Sequence, residues 1–276
     1  MARVELDIPA SVKQALNAEA ARTNRSQEAV ILAALADYLD LSVHTVFQIS
    51  TTGALVAGVE DREISVATLL EHGNFGLGTF AGLDGEMVVL DGVAYQALSS
   101  GEVRQATPDA GVPFAVVTRF AADQTVMSDP IASFSGLEAQ CDLLRTSDNL
   151  FYAVRLDGVF KRIKVRVATP PPPGGGLMAA AKAQSEFVFS DIPGTLVGIW
   201  SPVFSSQFSV QGYHFHFLSD DRAHGGHVLD VEAEPVRLQM ETLNDFRLAL
   251  PETASFLKAD LSRNIAEDLA AAEKDH

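Results

Sequence analysis

The chain has 276 residues, 47% of them hydrophobic and 20% charged, a composition that can close a sizeable core and is not that of a disordered or fibrous protein. Twenty Lys and Arg against 36 Asp and Glu leave a formal charge of −16, so the mean field repels polyanions and disfavours nucleic acid as a partner. The longest purely apolar run, Ala29 to Ala36, is too short to span a bilayer, and the only cysteine, Cys141, excludes an internal disulfide; a soluble, unexported, cytoplasmic protein is expected.

The first 42 residues read as a separate module. Ala2 to Ile8 alternate as a one-sided strand, and Pro9 ends it. Val12, Leu16 and Ala20 then recur at helical spacing, Asn24-Arg25-Ser26 breaks the chain, and Ala34, Leu35 and Tyr38 continue the stripe of a second helix with Ser26 as its N-cap. This strand-helix-helix order resembles the ribbon-helix-helix family, which dimerises through a shared two-stranded ribbon. The family's DNA-reading strand positions correspond to Arg3, Glu5 and Asp7, two of them acidic, and the module carries four basic against six acidic residues. Dimerisation is therefore expected of it rather than DNA binding.

From Thr45 the period shortens to β-like runs separated by Gly, Asp and Pro: Phe47 to Ser50, Met87 to Leu90, Phe114 to Phe120, Phe151 to Leu156 and Arg162 to Ala168. Helical patterns cover Ser65 to Glu71, Leu137 to Leu144, Leu177 to Gln184 and the C-terminal tail. The expected class is a strand-rich α+β fold. Thr169 followed by four prolines and three glycines is a candidate connector, giving expected parts at 1–42, 43–168 and 169–276.

Four of the seven histidines fall within 214–227. On a strand, His214 and His216 share one face while Tyr213, Phe215 and Phe217 share the other. The polar segment Ser219 to Gly226 can turn the chain so that His227 returns on a neighbouring strand beside them. Three neutral imidazoles with an open position suit a catalytic zinc or another borderline divalent ion. His224 falls in the turn. An HxH pair with a distant third histidine also occurs in cupins, although the carboxylate expected shortly after the pair is here Asp220 rather than Glu.

Several segments in order carry a stronger resemblance: STTGALVAGV (50–59), EHGNFGLGTFAGLDGEMVVLDGVAYQ (71–96), Val112 to Phe120, NLFYAVRLDGVF (149–160), GTLVGIWSP (194–202) and GYHFHFLSDDRAHGGHVLD (212–230). From about Val43 onward the chain resembles the α-acetolactate decarboxylase family. That resemblance implies two β-rich sub-domains with the metal between them, a homodimer or higher homo-oligomer, and zinc-dependent conversion of 2-acetolactate to (R)-acetoin and CO2 without thiamine, NAD or flavin. It implies His214, His216 and His227 as metal ligands, Glu86, Arg166 and Glu273 as catalytic residues, and Thr79 as a substrate-pocket residue. The family's motif after the arginine is replaced here by Ala168-Thr169 and the Pro/Gly run.

The chemistry asks for these residue types. Loss of CO2 from a β-keto acid drives an electron pair onto the ketone oxygen as an enediolate, which needs an electron sink such as a chelated metal. A guanidinium can hold the carboxylate or the developing oxyanion, and a positioned carboxylic acid can return a proton to one face. Two other readings share parts of this pattern: a cupin-like metal oxygenase using the same histidines, and a metabolite-sensing regulator that binds DNA through the N-terminal module.

Overall fold

The computed structural model describes residues 5–23, 26–38, 44–170 and 176–262. The chain divides into two units, Met1–Val43 and His44–His276. The first contains α1 (Ala10–Thr23) and α2 (Gln27–Tyr38), at the positions expected from the apolar spacing. Of the expected strand, residues 1–4 lie outside the described residues, and Glu5–Ile8 are not assigned to a strand among the described residues.

The second unit is strand-rich α+β. Its first half runs β1 (Thr45–Ile49), α3 (Thr52–Val56), β2 (Ile64–Ser65), α4 (Val66–His72), β3 (Phe75–Thr79), β4 (Glu86–Leu90), β5 (Val93–Ala97), β6 (Val103–Gln105), β7 (Gly111–Val112) and β8 (Phe114–Thr118). Then follow β9 (Gln124–Met127), α5 (Phe134–Asp142), β10 (Phe151–Val167), α6 (Gly176–Lys182), β11 (Ser185–Ser201), β12 (Gly212–Ser219), β13 (Gly225–Ala233), β14 (Arg237–Leu243), β15 (Asp245–Ala249) and α7 (Ala254–Lys258). The helix starts follow their caps: the Ser65 hydroxyl accepts from Thr68 N–H and the Ser133 hydroxyl from Gly136 N–H.

The strands build two main sheets. A seven-stranded sheet has the order β15-β1-β8-β3-β4-β5-β6, and a six-stranded sheet the order β11-β12-β13-β10-β14-β9. In the second sheet β11 also pairs with β10, so β10, β11, β12 and β13 close into a ring. β1, β3 and β8 are buried along their whole length, which explains their near-continuous apolar sequences: both faces of that sheet are covered.

Three apolar layers hold the unit. Tyr152, Leu156, Phe160, Phe215 and Phe217 belong to the cluster on the ring side, beneath α5. Leu77, Val88, Phe114 and Val116 of the seven-stranded sheet share a second cluster with Ala153, Val197, Ile199 and Leu218 of the six-stranded one, so the sheets meet through a common layer. Phe47, Leu69 and Val117 form a third under α4. Each large side chain fully withdrawn from water contributes roughly 1.5–3 kcal/mol.

Asp157-Gly158 falls between the two strands expected at Phe151 to Leu156 and Arg162 to Ala168, yet β10 runs through it as one strand of 17 residues. The glycine serves close approach rather than a turn. A Cβ there would lie 2.4 Å from Val236 Cγ1. Asp157 is held in the strand by Arg155, Arg237 and the Thr195 hydroxyl. The next strand in sequence, β11, pairs with β10 along nearly its whole length, so the Pro/Gly-rich segment connects two hydrogen-bonded neighbours.

Candidate metal centre

The site sits where the two sheets face each other. β12 is antiparallel to β13, and His216 lies directly opposite His227; β13 is antiparallel to β10, and His227 lies opposite Arg166. A row of His216, His227 and Arg166 thus crosses three strands, with His214 two residues along β12 on the same face. The row depends on an irregularity. Lys164 pairs with Asp230, but Val165 pairs with Val228, so a one-residue bulge at Leu229 brings His227 rather than Val228 opposite Arg166. Gly226 permits the approach: its φ is +149°, and a Cβ there would lie 2.7 Å from the Arg166 carbonyl oxygen.

All three imidazoles are buried, and their nitrogens converge. His214 Nε2 lies 3.1 Å from His216 Nε2 and 3.0 Å from His227 Nδ1. His216 Nδ1 lies 2.7 Å from the Met87 carbonyl oxygen, an acceptor only, so Nδ1 carries the proton and Nε2 presents its lone pair to the cluster. Burial, and after it the Arg166 guanidinium, push His214 down to about 3, so its ring is neutral at ordinary pH. Tetrahedral ligation at about 2.0–2.1 Å places nitrogens about 3.3 Å apart, close to the separations seen. The three residues therefore fit a divalent cation.

The seven-stranded sheet supplies the opposite wall. Glu86 opens β4, its Oε2 3.6 Å from His216 Nε2 and its Oε1 accepting a hydrogen bond from Ala168 N–H at 3.1 Å. Thr79 lies opposite Glu86 across the β3–β4 pair, and its hydroxyl donates to the Gly85 carbonyl at 2.8 Å, closing the turn that presents Glu86. Arg166 is buried with 6% residual exposure. Its neighbours on that strand face behave differently: Arg162 pairs with Asp230 and Lys164 with Glu186 toward solvent.

Thr79, Glu86, Arg166, His214, His216 and His227 all line one chamber, joined by apolar Leu55, Leu83, Phe114, Leu177 and Val210. Glu273 lies outside the described residues. His224 lies away from the cluster, its ring against Phe189. Sequence reasoning missed the apolar wall, the Met87 carbonyl and Gln184, which lines the chamber beside Arg166. A backbone carbonyl has no side-chain signal, and Gln184 ends the expected helical stretch Leu177 to Gln184, outside the segments that carry the resemblance. Among the described residues no helix is long and apolar enough to cross a membrane.

Comparison with known proteins agrees with this geometry. The alpha-acetolactate decarboxylase family profile matches residues 46–263. An alpha-acetolactate decarboxylase of Methanosarcina mazei is 42% identical over 229 residues, covering 83% of this chain and 80% of its own length. One of Methylococcus capsulatus is 42% identical over 232 residues, covering 83% and 89%. The crystal structure of alpha-acetolactate decarboxylase from Bacillus subtilis superposes with a TM-score of 0.81 at 33% identity, covering 84% of this chain and all of that one.

Proposed function

The chain belongs to the α-acetolactate decarboxylase family, and from that premise we propose that it converts 2-acetolactate to (R)-acetoin and CO2 with zinc as its metal. The observation that carries this reading is the convergence of three buried imidazoles beside one buried guanidinium and one anchored glutamate in a single chamber. His214, His216 and His227 would hold a divalent ion, and that ion would supply Lewis acidity to the substrate.

The protein's own groups do the remaining work. Arg166 receives the substrate carboxylate, the only full positive charge among the chamber's described lining residues. As the bond between the carboxylate carbon and C2 breaks, its electron pair moves into C2–C3 and onto the ketone oxygen, and CO2 departs. Glu86, entering the step as the carboxylic acid and reprotonated from solvent between turnovers, then delivers a proton to C2. The Ala168 N–H fixes one of its oxygens, so the other approaches from the wall of the seven-stranded sheet, and protonation from one wall yields one enantiomer. Glu273 is proposed as a second acid, and Thr79 as the residue that shapes the turn bearing Glu86. The apolar wall limits water around the electron-rich intermediate.

The protein acts in the cytoplasm as a homodimer or larger homo-oligomer, with residues 1–42 contributing to assembly. Family membership leaves the cupin-like oxygenase and the DNA-binding regulator without support of their own. The deciding experiment is anaerobic incubation of chelator-stripped protein with racemic acetolactate, with and without added Zn2+, following acetoin on a chiral column. Zinc-restored, mainly (R)-acetoin is expected; no acetoin above the spontaneous background would overturn the reading.

A further inference from the structure

Thr52 opens α3, and the local chain fixes its place. The Thr51 hydroxyl accepts from Ala54 N–H at 3.1 Å and caps the helix, while Thr52 N–H donates to the Phe208 carbonyl at 3.1 Å. Thr52 and Leu55 are three residues apart and share one helix face, and both line the chamber. The Thr52 side chain is withdrawn from solvent, with 1% residual exposure, yet its hydroxyl has no hydrogen-bond partner among the described residues.

That hydroxyl stands apart from the chamber's other polar groups. The Thr79 hydroxyl donates to the Gly85 carbonyl, Glu86 accepts from Ala168 N–H, Gln184 meets Arg166, and His216 is held by the Met87 carbonyl. Buried polar atoms are nearly always paired, and one left unpaired costs free energy that valine, of nearly the same shape, would avoid. Threonine has a single side-chain torsion whose wells exchange hydroxyl and methyl, so a partner inside the chamber can draw the hydroxyl toward itself.

The substrate of the reading above carries one group that matches. Its carboxylate only accepts and is assigned to Arg166. Its ketone oxygen also only accepts, and it takes up the electron pair, so it needs a stronger electron sink than a hydroxyl. The hydroxyl on C2 is the substrate's one donor, and a neutral oxygen that both accepts and donates is its natural partner.

We propose that Thr52 is a specificity-determining residue whose hydroxyl hydrogen-bonds the C2 hydroxyl of an α-hydroxy-β-keto acid, selecting it over a β-keto acid with hydrogen at that position. This rests on the decarboxylase reading above. The test uses the zinc-loaded full chain and the variants Thr52→Val and Thr52→Ser. The first probe is a substrate analogue whose ketone is reduced to an alcohol, which cannot decarboxylate; the second is the same compound with hydrogen in place of the C2 hydroxyl. Binding is read by calorimetry, by displacement for the weaker probe.

Thr52→Val is expected to weaken the first probe about three- to tenfold and to change the second by less than about twofold, with zinc content unchanged and a melting temperature no lower than that of the wild type. Thr52→Ser keeps the hydroxyl and is expected to keep the wild-type preference between the probes. In turnover Thr52→Val is expected to raise KM by the same factor with kcat changed less than about twofold. Equal weakening of both probes by Thr52→Val, no weakening of either, or the same lost preference in Thr52→Ser would overturn the inference and leave the decarboxylase reading intact. A wild type that forms no acetoin from acetolactate would overturn the two together.

Discussion

His216 Nδ1 donates a hydrogen bond to the Met87 carbonyl oxygen across the gap between the two sheets, at 2.7 Å. One sheet therefore sets the tautomer of a metal-binding residue carried by the other, and the same stretch of β4 presents Glu86 3.6 Å from the far nitrogen of that ring. Ligand orientation and acid placement depend on one strand.

His216→Ala removes one of three converging nitrogens, and two imidazoles do not complete a closed set of protein ligands. The variant is expected to retain less than about a tenth of the wild-type zinc and to lose turnover with it. Metal analysis after dialysis against a chelator and reloading checks this; full zinc and full activity in the variant would remove the metal centre as described.

Glu86→Gln keeps the hydrogen bond from Ala168 N–H but has no acidic proton to deliver. The expected result is a fall in kcat of about 10²- to 10⁴-fold, zinc content near wild type, and erosion of the enantiomeric excess of acetoin. If the variant forms (R)-acetoin at the wild-type rate, the proton comes from elsewhere.

Arg166→Ala leaves the substrate carboxylate without its cation in a buried chamber. A loss of about 3–4 kcal/mol, or about 10²- to 10³-fold in kcat/KM, is expected, with Arg166→Lys intermediate because it keeps the charge and loses the fork. Steady-state kinetics read this directly, and a Lys variant worse than Ala would contradict the charge argument.

Gly158→Ala drives a methyl group to within 2.4 Å of Val236 Cγ1 in the middle of β10. A destabilisation of about 1–3 kcal/mol is expected in urea unfolding. The double variant with Val236→Ala should be less destabilised than the two single effects summed, because the clash has been relieved. Strict additivity would show that the close approach carries no strain.

The buried Glu241 carboxylate lies 3.1 Å from His44 Nδ1, with Asp123 at 4.0 Å. The bond to Glu241 raises His44 above its ordinary 6.5 against the opposing effect of burial, and burial raises Glu241 above 4.5 against the opposing effect of His44. Both groups hold protons more tightly in the folded state, so each contribution is present at low pH and is lost as pH rises through that group's own folded value, above 4.5 for Glu241 and above 6.5 for His44. The melting temperature is expected to fall as pH rises above these ordinary values, and Glu241→Gln to flatten that slope. An identical slope in the variant would assign the dependence to other groups.

Much of this protein is written locally. The strand pattern, the caps at Ser65 and Ser133, the two N-terminal helices and the alternation that puts His214 and His216 on one face all follow from side-chain periodicity and short-range hydrogen bonds. The Ser219–Gly226 turn is legible for the same reason, and the ordered motifs from 50 to 230 carried the family resemblance on their own. Asp157-Gly158 was misread as a break because a glycine required by a distant neighbour, Val236, looks in sequence like one required by a turn.

What the tertiary structure alone decided is how local faces meet. Arg162, Lys164 and Arg166 are indistinguishable by alternation, yet two pair with acidic residues toward solvent and the third enters the chamber. The bulge at Leu229 turns His227 toward Arg166, the Met87 carbonyl selects a tautomer from the opposite sheet, and Gln184 meets Arg166 from the far side of a connection. Each of these is a contact between residues remote in sequence, set by strand register and by the packing of two sheets, quantities that depend on the whole arrangement of the chain and on no short stretch of it.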